Sequence, residues 1–182
     1  MIHGTEGGGK AEIIVALDEP SLSEAKRLTE RLEGRARFYK VGLQLFTAAG
    51  PAAVEAVKAH GARVFLDLKL HDIPNTVASA VRSAGQMNRA QIDTQLAGGP
   101  EMCAAAGAEA GEKMTILGVT VLPRSTQATL EACGVHGSVG EQVVRLARMG
   151  HAAGVRGFVA SALELPLLRA ELGKDPLLVI PG

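Results

Sequence analysis

The sequence of 182 residues has no tryptophan, one tyrosine (Tyr39) and four phenylalanines. Single strands of nucleic acid are held largely by stacking bases on aromatic rings, and a chain this poor in rings offers few platforms for them. An excess of one charge is also lacking, since 19 acidic residues face 19 basic ones. No overall field therefore draws the chain to nucleic acid or to an anionic membrane surface. Cysteine is scarce: Cys103 and Cys133 form no CxxC or Cys/His ligand spacing, and both read as packing residues kept reduced in the cytoplasm. No uncharged apolar run approaches the roughly 18 residues of a membrane span. The opening MIHGTEGGGK lacks the apolar centre of a signal peptide. What survives these exclusions is a cytoplasmic protein with a small, locally recognised ligand and neither a nucleic-acid nor a membrane partner.

What the chain does have is a repeating alternation. Short apolar or β-branched runs recur at Glu12–Asp18, Arg37–Gly42, Arg63–Lys69, Gln91–Ala97, Lys113–Leu122, Arg156–Ser161 and Pro176–Gly182. Between them lie helix-like stretches. In SLSEAKRLTERLEG, Leu22, Ala25, Leu28 and Leu32 form one stripe, with Ser21 or Ser23 as a cap and Gly34 as a stop. PAAVEAVKAHG, PNTVASAVRSAG and GEQVVRLARMGHAAG repeat the scheme. Seven strands joined by crossover helices predict an α/β fold with a parallel sheet, whose working residues stand at the carboxyl ends of the strands. The whole chain reads as one domain, with residues 1–10 as a flexible leader. Within that leader GTEGGGK formally fits a phosphate-loop pattern, but it precedes the first strand, and Ala11 stands where a magnesium site needs a hydroxyl.

The strand ends carry charge. In FLDLKLHDIPNT, Phe65, Asp67 and Lys69 share one face of a strand and Val64, Leu66 and Leu68 the other, so the apolar set packs under helices and the charges face inward. A single buried ion pair is more often structural than catalytic. Here, however, Asp18, Lys40, Asp67 and Lys69 fall at the same end of three successive strands, and that convergence favours a site. Lysine flanked by carboxylates is held protonated, so Lys69 suits proton donation and stabilisation of a developing carbanion. His60, His136 and His151 have no paired ligand spacing, so no metal site is expected, and His71, within the motif, reads as a structural or solvated turn residue with a minor role.

The run Asp67, Lys69, Asp72, Ile73, Pro74, Thr76 resembles the D-x-K-x-x-D-I-P-x-T signature of the orotidine 5′-phosphate decarboxylase family. ALD ending at Asp18, FYKVG around Lys40, LGVTVL at Leu117–Leu122 and the terminal VIPG are similar to that family in order and spacing. The resemblance implies a TIM (β/α)8 barrel working as a homodimer. It also implies conversion of orotidine 5′-monophosphate to UMP and carbon dioxide, in pyrimidine synthesis, with no metal or organic cofactor. It casts Lys69 as the group that protonates C6, Asp67 against the leaving carboxylate, and Lys40 on the ribose and Asp67. Asp18 holds a ribose hydroxyl, and Asp72 and Thr76 reach into the neighbouring protomer's site. Ser125, Pro181 and Gly182 complete the expected substrate-binding set. Two alternatives are a magnesium-dependent sugar-phosphate decarboxylase or synthase of the same superfamily, and a non-catalytic altered barrel.

Three departures from the family pattern shape further expectations. Pro123 and Arg124 replace the hydroxyl residues that grip the pyrimidine, so Ser125 or Thr126 has to stand in. Gln91, Asp93 and Gln95 alternate in the fourth strand, which predicts a half-exposed strand. The family continues beyond a terminal VIPG into an eighth strand and a phosphate-binding turn. Their absence predicts an open barrel, with unpaired edges on strands one and seven and weak phosphate binding.

Overall fold

The structure, a computed structural model, describes residues 2–4, 11–87 and 91–182. The strands are β1 (Ile2–Gly4), β2 (Glu12–Ile13), β3 (Val15–Leu17), β4 (Phe38–Gly42), β5 (Arg63–Leu70), β6 (Gln91–Gln95), β7 (Thr115–Val119), β8 (Gly157–Val159) and β9 (Leu177–Ile180). The helices are α1 (Leu22–Arg31), α2 (Leu43–Ala49), α3 (Pro51–Lys58), α4 (Pro74–Gln86), α5 (Pro100–Ala110), α6 (Gln127–Ala132), α7 (Val139–Ala152) and α8 (Leu165–Leu172). Helices start where the sequence supplies caps: Ser21 accepts from the Glu24 N–H at the head of α1, and Ser138 and Glu141 form a reciprocal capping box on α7. Proline opens α3, α4 and α5, where its missing N–H has no helical partner to lose.

From β3 to β9 the strands run parallel, each beside the next in sequence. The sheet curls. Its two faces bury different clusters, as alternation along each strand requires. Ile14, Phe38, Phe65, Leu117, Val119, Val159 and Val179 fill the inside, while Val64, Leu66, Ile92, Ile116, Phe158 and Leu178 pack outward under the helices. The seven expected strands are all present: the first is broken at Ile14, β5 runs one residue further than expected, and the others are shorter.

Two expectations are corrected. The gap beyond β9 is not an open edge: β1 lies antiparallel against β9 on one side and β2 on the other, with Ile2 opposite Ile180 and Ile13. β2 continues through Ile14 into β3, so the two ends of the strand order meet in one stretch of chain. Ile2–Gly4 belongs to the stretch expected as a leader, whereas Met1 and residues 5–10 lie outside the described residues. β6 is not half-exposed either. Gln91 and Asp93 are buried because in a curled sheet the inward polar positions face the interior and not solvent, while Thr94 is buried on the opposite face, donating to the Leu70 carbonyl and lying against Met102 of α5.

Candidate active site

Asp18, Lys40, Asp67 and Lys69 come together at the carboxyl ends of β3, β4 and β5, as their positions on the strands imply. The Lys40 ammonium donates to Asp18 Oδ1 at 2.8 Å and lies 3.3 Å from Asp67 Oδ2. The Lys69 ammonium donates to Asp67 Oδ1. Lys40 and Asp67 are each only 6% exposed. Two buried charges are tolerable here because each has an opposite charge in contact.

A fifth acid–base residue, Asp93 on β6, completes the array at 1% exposure. Its Oδ1 accepts the Lys69 backbone N–H at 2.7 Å, and its Oδ2 lies 3.8 Å from the Lys69 ammonium. Lys69 has φ of +49°, the left-handed region that side chains seldom adopt, and the pairing of β5 with β6 shifts register between Leu66 and Leu70. The irregularity turns Lys69 out of the regular ladder, and the Asp93 carboxyl satisfies the N–H that the ladder no longer serves.

The charges tune one another. Burial pushes the Asp67 carboxyl up, but hydrogen bonds from Asp93 and Lys69 and the two nearby ammoniums outweigh it and hold Asp67 below the ordinary range. Burial favours neutral Lys69, yet its bond to Asp67 and the negative field of Asp93, Asp67 and Asp18 hold it above the usual lysine value. Asp93 is pushed well above the carboxylate range, by burial first and then by the charge of Asp67. At neutral pH Lys69 is therefore a cation beside an ionised Asp67.

These side chains line a cavity of about 600 Å³, together with Phe65, Val119, Leu122, Pro123, Arg124, Pro181 and Gly182. That size suits a nucleotide-sized ligand. Arg124 takes a place at the wall, while Ser125 is not among the lining residues; its N–H closes a turn on the Leu122 carbonyl. Thr126, the other expected stand-in, caps α6 by accepting from the Thr129 N–H. Asp72, Ile73 and Thr76 are exposed at the start of α4, outside the cavity wall, and Asp72 accepts the Ile73 N–H.

Residues 11–182 match the family described as Orotidine 5′-phosphate decarboxylase / HUMPS family. The chain belongs to that family. Orotidine 5′-phosphate decarboxylase of Trichlorobacter lovleyi is 46% identical to it over 184 residues, covering 98% of this chain and 76% of that protein. The Geobacter sulfurreducens protein of the same name is 41% identical, covering 98% and 77%. The crystal structure of orotidine 5′-phosphate decarboxylase from Lactobacillus acidophilus matches with a TM-score of 0.86 at 30% identity, covering 94% of this chain and 80% of that one. An uncharacterized conserved protein from Geobacillus kaustophilus gives 0.87 at 34%, covering 92% and 81%.

For this member of the orotidine 5′-phosphate decarboxylase / HUMPS family, sequence reading found four of the five clustered acidic and basic side chains. It missed Asp93. The signal was present, as an acid at an inward position of a strand adjacent to the charged one, but the alternation was read as exposure.

Proposed function

We propose that the chain decarboxylates orotidine 5′-monophosphate to UMP and carbon dioxide, supplying pyrimidine nucleotide in the cytoplasm. The observation that carries this reading is the Lys40–Asp67–Lys69 array, with Asp18 at its edge, on the wall of a nucleotide-sized cavity. The C6–carboxylate bond breaks, its electron pair stays on C6 and carbon dioxide leaves. The Lys69 ammonium then gives one proton to C6 and is reprotonated from water. A cation fixed beside the carbon stabilises that pair as it develops, at no cost of reorganisation during the reaction. Asp67, held ionised, keeps Lys69 protonated and lies against the departing carboxylate. Lys40 ties Asp67 to the ribose, and Asp18 takes a ribose hydroxyl.

The working unit in this reading is a homodimer in a (β/α)8 frame. Asp72 and Thr76 extend to the neighbour's cavity, and the exposed Ile73 between them, 66% open to solvent, is covered by the partner. Pro181 and Gly182 contact substrate at the end of β9. Pro123 has no N–H to offer the base, so Arg124 takes over part of substrate recognition.

The test is the ultraviolet absorbance change of orotidine 5′-monophosphate with purified protein, with and without added Mg²⁺. Turnover that ignores Mg²⁺ supports the reading. No turnover by folded dimeric protein contradicts it, and turnover of a sugar phosphate only when Mg²⁺ is added points to the other branch of the superfamily.

A further inference from the structure

Asp93 and Asp67 converge on Lys69, whose ammonium donates to Asp67 Oδ1 and lies 3.8 Å from Asp93 Oδ2, and the two carboxyl groups act on each other's titration. Two ionised carboxylates held this close repel each other, whereas one that carries a proton can donate it to the other. Asp67 is the poorer candidate, because ammonium groups meet both of its oxygens, Lys69 on Oδ1 and Lys40 on Oδ2. Asp93 is buried, its Oδ1 is committed to the Lys69 N–H, and its nearest cation stands 3.8 Å from Oδ2. The charged groups around it are Asp67 and Lys69 on β5, Lys40 on β4 and Asp18 beyond β3. β7 contributes no titratable side chain, and Arg124 lies beyond its end. With Asp93 neutral, the cluster of Lys40, Lys69, Asp18 and Asp67 balances two cations against two anions.

We propose that Asp93 is a positioning residue that acts as a neutral carboxylic acid, accepting the Lys69 backbone N–H on one oxygen and donating its proton to Asp67 from the other. This inference rests on the decarboxylase reading for its kinetic consequence only. The acid does two things that an ionised group there cannot do together. It anchors Lys69 in its left-handed conformation, which fixes where the ammonium points, and it adds a donor to Asp67 without adding a third negative charge that would hold the Lys69 proton more tightly. The burial that pushes Asp93 well above the carboxylate range works in the same direction.

Asparagine reproduces both bonds, since its amide oxygen accepts and its NH₂ donates. D93N is therefore expected to keep kcat within about ten-fold of wild type, whereas D93A, which releases the Lys69 backbone, loses on the order of 100-fold in kcat with a smaller change in KM. A second measurement needs no turnover. Infrared difference spectra of wild type against D93N at neutral pH are expected to show loss of a protonated-carboxyl C=O stretch. Loss of a carboxylate band instead, or a D93N enzyme as impaired as D93A, overturns the proposal. Should wild type turn over no orotidine 5′-monophosphate, the reading of function fails while the infrared band still decides the state of Asp93.

Discussion

At the scale of single residues, the site depends on small spaces as much as on charges. Gly42 ends β4 two positions after Lys40, and a Cβ built there meets the Lys40 ammonium at 2.6 Å and Asp18 Oδ1 at 3.4 Å. The absence of a side chain at Gly42 is what lets Lys40 fold back to reach both Asp18 and Asp67. G42A is expected to unfold near the wild-type temperature, because the clash is with the free end of a flexible side chain. Its kcat/KM should fall by roughly ten-fold or more, since displacing a positioning cation weakens the transition state. Unchanged kcat/KM in folded G42A would show that Lys40 needs no fixed place. The motif around Lys69 made most of this cluster legible: side-chain alternation put Asp67 inside, and ALD and FYKVG put Asp18 and Lys40 beside it. The left-handed backbone of Lys69 was not legible. It follows from the register shift between β5 and β6, and a shift in pairing leaves no mark on either strand's own sequence.

At the scale of elements, packing turns on Leu96, which is fully buried just after β6. A Cβ at Gly118 on β7 would meet Leu96 Cδ2 at 2.6 Å and Cγ at 2.9 Å, and one at Gly150 on α7 would meet Leu96 Cδ2 at 2.6 Å. Leu96 thus fills the gap between a strand and a helix that both lack side chains there. G118A is expected to destabilise the protein by about 1–3 kcal/mol, as overpacking a tight core does. G150A pits the same clash against a gain of at most about 1 kcal/mol from replacing glycine within a helix, and the clash wins. Urea midpoints of both variants check this, and midpoints at or above wild type would contradict it. The long helices α1, α4 and α7 were readable from caps and stripes. The eight-residue α3 was readable from its opening proline and closing glycine, whereas the six residues of α6 hold too few turns for a stripe to declare itself. β6 was misread because alternation of polar and apolar residues looks the same whether the polar face meets water or a cavity.

At the scale of the whole molecule, the central cluster links stability to pH in opposite directions. Asp67 is held low, so its contribution is present above the ordinary carboxylate value of about 4 and is lost as pH falls through the folded value. Asp93 is held high, so its contribution is full below that ordinary value and is lost as pH rises toward its folded value. Lys69 is held high as well, and its contribution is lost only above the usual lysine value, in alkali. Wild type is therefore expected to lose stability relative to D93N as pH rises from about 4 toward neutrality, read from urea midpoints at several pH values. Parallel curves for the two proteins would mean that Asp93 titrates normally. The parallel order of seven strands was legible from their spacing, since each predicted strand lies beside its neighbour in sequence. The position of Ile2–Gly4 between β9 and β2 was not, because a three-residue strand carries no periodicity and its partners lie far apart in the chain.

The central claim is that Lys69, held as a cation by Asp67, delivers the proton to C6. It is tested most directly by comparing orotidine 5′-monophosphate turnover in wild type and K69A, with UMP binding measured on both. The account predicts that K69A still folds and binds UMP while kcat falls by roughly 10²–10⁴-fold or more. Turnover by K69A within ten-fold of wild type would contradict it.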